Sequence, residues 1–341
     1  MADNTVPTRT LGPAGPEVPV LALGSWNIWD RMERDDAVAL VHRAKDAGAA
    51  FFDVGNYNMG PHAEGARTDI LFGEIVRDAG LERSDYLVCG KLWLWDYPNT
   101  GFADWMRTSL DRIGIEAVDT VVVGDHMAPV DIRRVVRDIH AEIEAGRFTS
   151  WGINNWPHEE ALLALEFARD EGLTPPSFAQ LKYSLVRRSM AEGPFYGGLF
   201  ADGRLGLQAS DVFEGGILVG KTAPERKIGA DVGGIRDEIV AAWPTVQKIA
   251  EGLDATPAQL GIAYCLANPA TANVLFGCRS IAQFDDALGA LALLERVGAE
   301  KIRDAAADLW LDCDVNPDGT WFPPGGIAGG AAPAPAPDPA S

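Results

Sequence analysis

Short, largely apolar runs alternate with amphipathic stretches along almost the whole chain. The runs are Val20–Ser25, Ala50–Val54, Tyr86–Lys91, Asp119–Gly124, Thr149–Asn154, Phe178–Tyr183, Leu205–Ala209 and Asn273–Phe276. Short apolar runs of this kind predict buried strands. Between them, Asp35–Ala47 carries Val38, Val41 and Ala44 on one helical stripe. Thr68–Asp78, Trp105–Ile113, Ile235–Gly252, Pro257–Leu266 and Ser280–Leu293 read as helices as well. Ile132–Ala145 is a helix stopped by Gly146, and Pro157 opens another that runs to about Asp170.

Roughly eight strand–helix units follow one another with no break in composition, which predicts an α/β fold of the (β/α)8 TIM-barrel kind. A doubly wound sheet is the alternative. It would usually show a glycine-rich dinucleotide turn after its first strand, and Leu23-Gly24-Ser25-Trp26 is not one. Before about Val18, two short segments with Gly-Pro turn signals predict a β-hairpin closing the barrel bottom. Residues 1–317 are expected to form this single domain. Residues 318–341, a Gly-Gly and Ala-Pro stretch with little to bury, are expected to be a disordered low-complexity tail.

If neighbouring strands are parallel, their C-terminal ends share one face. Phe51-Phe52-Asp53-Val54-Gly55-Asn56-Tyr57 then brings an acid and a phenol to the end of one strand, and Val88-Cys89-Gly90-Lys91 brings an amine to the end of the next. A phenol has an ordinary pKa of about 10. A nearby ammonium favours its ionised form, and a carboxylate keeps the ammonium charged. Asp53, Lys91 and Tyr57 together would make a tuned proton donor, of the kind needed when a carbonyl receives a hydride.

The formal net charge of −20 argues against a nucleic-acid or anionic-membrane surface. An anionic ligand must then be held by local groups. Cys89, Cys265, Cys278 and Cys313 are widely spaced, which predicts reduced thiols and a cytoplasmic location. There is no secretory signal pattern and no apolar run of membrane-spanning length. No His or Cys pair has metal-ligand spacing, so no metal is expected. His62 sits in a polar loop, and His42, His140 and His158 lie on helical patterns that read as surface.

From Arg9 to about Ala292 the motifs, in their order and spacing, resemble the aldo-keto reductases, NAD(P)-dependent (β/α)8 barrels. Arg9-Thr10-Leu11-Gly12 with Val20–Trp26 is similar to the family's opening hairpin and first strand, and implies cofactor contacts at Gly24, Ser25 and Trp26. Phe52-Asp53 resembles its Asp motif and Lys91 its catalytic lysine. Trp151-Gly152-Ile153-Asn154-Asn155-Trp156 and Gln180 resemble the strand ends that hold the nicotinamide carboxamide. Gly215–Lys221 resembles the pyrophosphate strap, implying Gly216, Leu218, Gly220 and Lys221. Phe276-Gly277-Cys278-Arg279-Ser280 with Gln283 resembles the adenosine-phosphate site, implying Gly277, Arg279 and Gln283.

Three positions depart from the family pattern. Tyr57 stands four residues after Asp53 rather than five. The fourth strand ends at Gly124 where the family places a histidine, with His126 two residues on. Ser210 stands where an aromatic usually stacks on the nicotinamide.

The resemblance implies an NADP-dependent oxidoreductase acting on a medium-sized, partly apolar carbonyl, or on an imine or activated alkene, with His126 orienting the substrate oxygen. Trp29, Trp93 and Trp95 would wall its pocket. NADP(H) is favoured over NAD(H) because Arg279, at a helix N-terminus, suits a 2′-phosphate. The alternatives are an NADPH-binding redox-sensing or regulatory barrel with little turnover, and a biosynthetic enzyme using the cofactor for a non-standard step. Two bland readings stay open. Arg279 could pair with Asp285 or Asp286, and the Gly-aromatic stretch Arg187–Arg204 is either a lid or a surface insertion.

Overall fold

A computed structural model describes residues 5–58, 65–124, 130–223, 228–229 and 231–315. Strands β1 (Thr8–Thr10) and β2 (Glu17–Pro19) pair antiparallel as a hairpin. Eight parallel strands then close a barrel. They are β3 (Leu21–Gly24), β4 (Phe51–Val54), β5 (Leu87–Leu92), β6 (Thr120–Val123), β7 (Ser150–Asn154), β8 (Phe178–Lys182), β9 (Gly206–Ser210) and β10 (Thr271–Phe276), with β10 returning to β3. The chain is therefore the (β/α)8 barrel that its alternating pattern predicts.

Helices cover the outside: α1 (Arg34–Asp46), α2 (Thr68–Asp78), α3 (Phe102–Ile113), α4 (Ile132–Glu144), α5 (His158–Glu171), α6 (Ser189–Glu192), α7 (Pro194–Ala201), α8 (Arg236–Gly252), α9 (Pro257–Leu266), α10 (Ile281–Val297) and α11 (Ala299–Ala305). Among the described residues no helix is long and apolar enough to cross a membrane. Cys89, Cys265 and Cys278 are buried free thiols, and Cys313 is an exposed one. Residues 318–341, expected as a tail, lie outside the described residues.

The segment Arg187–Arg204 is neither a lid nor a loose insertion. It forms α6 and α7, with Pro194 in the first turn of α7. Tyr196, Leu199 and Phe200 are buried, and the Tyr196 hydroxyl donates to the Trp156 carbonyl at 2.8 Å. None of its residues lines the large cavity described below. Four glycines and a proline mark it as loop-like in sequence, but aromatic burial outweighs that local bias.

Inside the barrel the pleat sorts residues into layers. At the bottom, Leu11 and Val18 of the hairpin pack on Ala22, Phe51, Cys89, Val122, Phe178 and Leu275 from the strands. The Arg9 guanidinium donates to the Thr271 carbonyl and ties the hairpin to β10. One layer higher the interior becomes polar. Asp53, Asn154, Gln180, Gln208 and Asn273 are all buried. The C-terminal face above them is the open end.

Candidate active site

The open end holds a cavity of about 830 Å³. Asp53, on β4, stands opposite Cys89 of β5 in register, so Lys91 lies one rung higher on the same inward face. The Lys91 ammonium is 3.2 Å from Asp53 Oδ1, with both side chains buried. The Tyr57 hydroxyl accepts a hydrogen bond from the same ammonium. Burial disfavours a charged Lys91, but Asp53 and the Tyr57 oxygen more than offset this, holding the ammonium above the usual lysine range. The three groups read from the strand ends therefore meet at one point.

The shortened spacing from Asp53 to Tyr57 is absorbed by a tight loop. Asn56 is buried. Its side-chain oxygen accepts from the Asn58 amide at 3.0 Å, and its carbonyl accepts from Trp93 Nε1 at 3.0 Å. Gly55 is tightly enclosed, since a Cβ there would stand 3.1 Å from both the Lys91 stem and the Tyr57 ring. This close approach brings the Tyr57 phenol to Lys91.

The site's aromatic wall fills the place of the expected strand-four histidine. A Cβ on Gly124 would stand 2.2 Å from Trp93 Cε3, so the indole occupies the space that a side chain at 124 would take. Trp93 stacks on Trp95 with centroids 4.1 Å apart and lies 5.7 Å from the Tyr57 ring, and Trp26 closes the other side at 6.1 Å. All three tryptophans line the cavity. Trp29 does not. The 3-10 turn at Trp29–Arg31 carries it into the core, against Phe52 and Phe72 at 6.2 and 6.0 Å. His126 and His62 lie outside the described residues.

Gly24, Ser25, Trp26, Asn154, Asn155, Gln180, Ser210, Gly216, Gly220, Lys221, Gly277, Arg279 and Gln283 all line the cavity. Leu218 does not. Its side chain is buried beneath the 3-10 turn Glu214–Val219. Within this strap Gly216 and Gly220 take left-handed φ values of 107° and 91°, and the Lys221 amide closes on the Gly216 carbonyl at 3.0 Å. At the cavity's other end Ser280 caps α10, its hydroxyl accepting from the Gln283 amide at 3.2 Å. Gln283 Oε1 accepts from the Arg279 amide at 2.8 Å. The alternative partners of Arg279 are otherwise engaged. Asp285 pairs with Arg43 at 2.8 Å, and Asp286 accepts from Thr256 and Gln259. Burial pushes the neighbouring Cys278 thiol up to about 12, so it is not a reactive thiolate at neutral pH.

The strand pattern also places Lys182 at the site. It lies two residues after Gln180 on β8, hence on the same face, and it lines the cavity. Its buried ammonium is 2.6 Å from Asp211 and 3.6 Å from Glu214. Arg187 meets the same Glu214 at 3.1 Å and Asp231 at 2.9 Å. Two buried cations thus converge on Glu214, at the start of the strap.

A bound group has matching polar atoms waiting. Ser25 Oγ and Asn27 Nδ2 are buried and have no hydrogen-bond partner among the described residues. Asn154 donates to Gln180, and Asn155 Oδ1 accepts from the Lys182 amide. Asn154 Oδ1 and Asn155 Nδ2, both on cavity-lining residues, supply an acceptor and a donor, as a carboxamide requires. The Gln180 amide is not available in the same way, because its NH2 already donates to Asp53 and to Gln208 at 2.8 and 2.7 Å. Among the described residues no group of three or more His, Cys, Asp or Glu could hold a metal.

Comparison with known proteins places this geometry. The profile of the Aldo/keto reductase family matches residues 20–304. A protein of Oryza sativa subsp. japonica named "Probable voltage-gated potassium channel subunit beta" is 28% identical over 314 residues, covering 86% of this chain and 94% of its own. One of the same name from Arabidopsis thaliana is 25% identical over 317 residues, with the same coverage. The crystal structure of an aldo-keto reductase from Klebsiella pneumoniae in complex with NADPH superimposes with a TM-score of 0.68. It is 18% identical, covers 91% of this chain and 96% of its own, and shares the fold.

Proposed function

The chain belongs to the aldo/keto reductase family, and on that premise we propose that it is an NADP(H)-dependent oxidoreductase that reduces the carbonyl of a medium-sized, partly apolar substrate. The observation that carries this is the meeting of Asp53, Lys91 and Tyr57 at the floor of a cavity that also takes in a glycine strap and a capped helix N-terminus. The residues fit the cofactor. Asn154 and Asn155 would hold the carboxamide, Ser25 and Asn27 offer orphaned polar atoms, and the strap glycines let backbone approach the diphosphate. When bound, a reduced nicotinamide supplies a hydride to the carbonyl carbon.

This chain's own groups handle the proton. Tyr57 gives its hydroxyl hydrogen to the carbonyl oxygen as negative charge develops there. The Lys91 ammonium stabilises the phenolate left behind, and Asp53 keeps Lys91 in place and charged. Trp26, Trp93 and Trp95 enclose the apolar part of the substrate and exclude water. Arg279, which lines the cavity beside the start of α10, supports a preference for NADPH, since its guanidinium could hold a 2′-phosphate.

Single-turnover oxidation of bound NADPH, followed against aldehydes, ketones and imines, tests this reading. Tyr57→Phe and Lys91→Met are each expected to slow the step by roughly 10²–10⁴-fold. Variants as fast as the parent would sink the mechanism. A second reading, an NADPH-binding regulatory barrel with little turnover, is favoured by the kinship to two proteins named as channel subunits. It gains if NADPH binds tightly and no carbonyl or imine accelerates its oxidation.

A further inference from the structure

From the cavity floor downward, four side-chain amides run across the barrel interior. Asn273 of β10 donates through Nδ2 to the backbone carbonyl of Pro19, in the hairpin. That leaves Asn273 Oδ1 to accept from Gln208 Nε2 at 3.0 Å. Gln208 Oε1 accepts from Gln180 Nε2 at 2.7 Å. The second hydrogen of the same Gln180 NH2 goes to Asp53 Oδ2 at 2.8 Å, and Gln180 Oε1 accepts from Asn154 at 3.2 Å. Asp53, Gln180, Gln208 and Asn273 are at most 2% exposed.

The direction of every amide in this string is determined by its foot. A backbone carbonyl has no hydrogen to give, so Asn273 must turn its NH2 toward Pro19. Each amide above is then forced in turn. If Gln180 alone flipped, its oxygen would face Asp53 and the Gln208 oxygen, and its NH2 would face that of Asn154. Three buried contacts would be mismatched at once.

We propose that Gln208 and Asn273 are positioning residues for the reaction, relaying the fixed polarity of the Pro19 carbonyl so that Gln180 can only donate to Asp53. One carboxylate oxygen is then committed to Gln180 and the other to Lys91. The carboxylate is then held at both oxygens and cannot rotate away. The inference deepens the reductase reading and rests on it for any effect on turnover.

Glutamine-selective 15N labelling tests the string without turnover, since the chain has five glutamines. The Gln180 NH2 pair is assigned by its loss in Gln180→Leu. Asn273→Leu touches neither Gln180 nor Asp53, yet it is expected to shift that pair in ligand-free protein. Gln208→Met is expected to lower kcat by about 10- to 100-fold, the scale of a misplaced catalytic group. KM should stay within about twofold, because Trp26, Trp93 and Trp95, which enclose the substrate, are outside the string.

An unmoved Gln180 pair in folded Asn273→Leu overturns the proposal. So does Gln208→Met with the parent's kcat. A parent protein that turns over no carbonyl sinks the reductase reading instead, and the labelled amide then decides the string by itself.

Discussion

A glycine at 124 and a tryptophan at 93 are one arrangement seen from two sides. The indole fills the space above Gly124 and hands its Nε1 hydrogen to the Asn56 carbonyl, which in turn shapes the loop carrying Tyr57. Gly124→His is therefore expected to overpack the wall and cost about 1–3 kcal/mol. Adding Trp93→Ala should recover part of that loss, so that urea unfolding of the two single variants and the double variant reveals coupling. Additive costs would show that the two positions are independent. Arg279 is the other residue whose surroundings decide its role. With Asp285 and Asp286 held elsewhere, its guanidinium is expected to serve a phosphate. Arg279→Ala should raise the NADPH dissociation constant by roughly 10- to 100-fold, the loss of charge-assisted hydrogen bonds. Affinity for NADH should stay within about threefold, because that ligand lacks the group being held. Titration by cofactor fluorescence checks both.

At the scale of elements, local patterns reveal some features and hide others. The strands are short and apolar, and each ends in a turn signal, so their order and register are legible to within a residue or two. Asp53 and Lys91 follow directly, because strand ends in a parallel barrel share a face. Lys182 and Gln208 were legible by the same two-residue alternation, one from Gln180 and the other from Ser210. Neither belongs to a motif, since a lone polar residue in an apolar strand carries none. The two short helices α6 and α7 were not legible at all, since their glycines and proline argue locally for a loop. What orders them is remote. The carboxylate of Glu192 in α6 accepts from the Tyr183 and Tyr264 hydroxyls at 2.6 and 3.0 Å, and pairs with Arg303 of α11 at 2.7 Å. Burial pushes the Glu192 carboxyl up, but Arg303 and the two phenols pull it further down, so it sits below the usual value in the folded protein. A depressed carboxyl stabilises the fold above its unfolded pKa of about 4.5, and that contribution fades as pH falls through the lower folded value. Glu192→Gln is expected to cost about 3 kcal/mol at pH 7. Its difference from the parent should shrink below about pH 4 in urea unfolding. A difference that is constant with pH would assign Glu192 a packing role only.

Across the whole molecule the barrel divides its labour between two ends. The open end gathers the charged and aromatic groups of the cavity, and the bottom is sealed by the hairpin through Leu11 and Val18, both fully buried. Leu11→Ala removes packing from the sealed end and nothing from the mouth. Its expected cost is about 2–5 kcal/mol of stability, the range for a leucine cut to alanine in a core. NADPH affinity and kcat below the melting transition should stay within about twofold, since bottom-face residues of such barrels serve stability. The contrast with the amide string is what makes the comparison informative. Leu11 and Asn273 are both buried, and both meet or belong to the hairpin's neighbourhood, but only Asn273 has a hydrogen-bonded route to Asp53. If apolar loss at the bottom lowers kcat as much as loss of the amide does, the two ends are coupled through packing and the directional string is unnecessary. If only loss of the amide lowers it, the polarity of one backbone carbonyl at the closed end reaches Asp53 at the other.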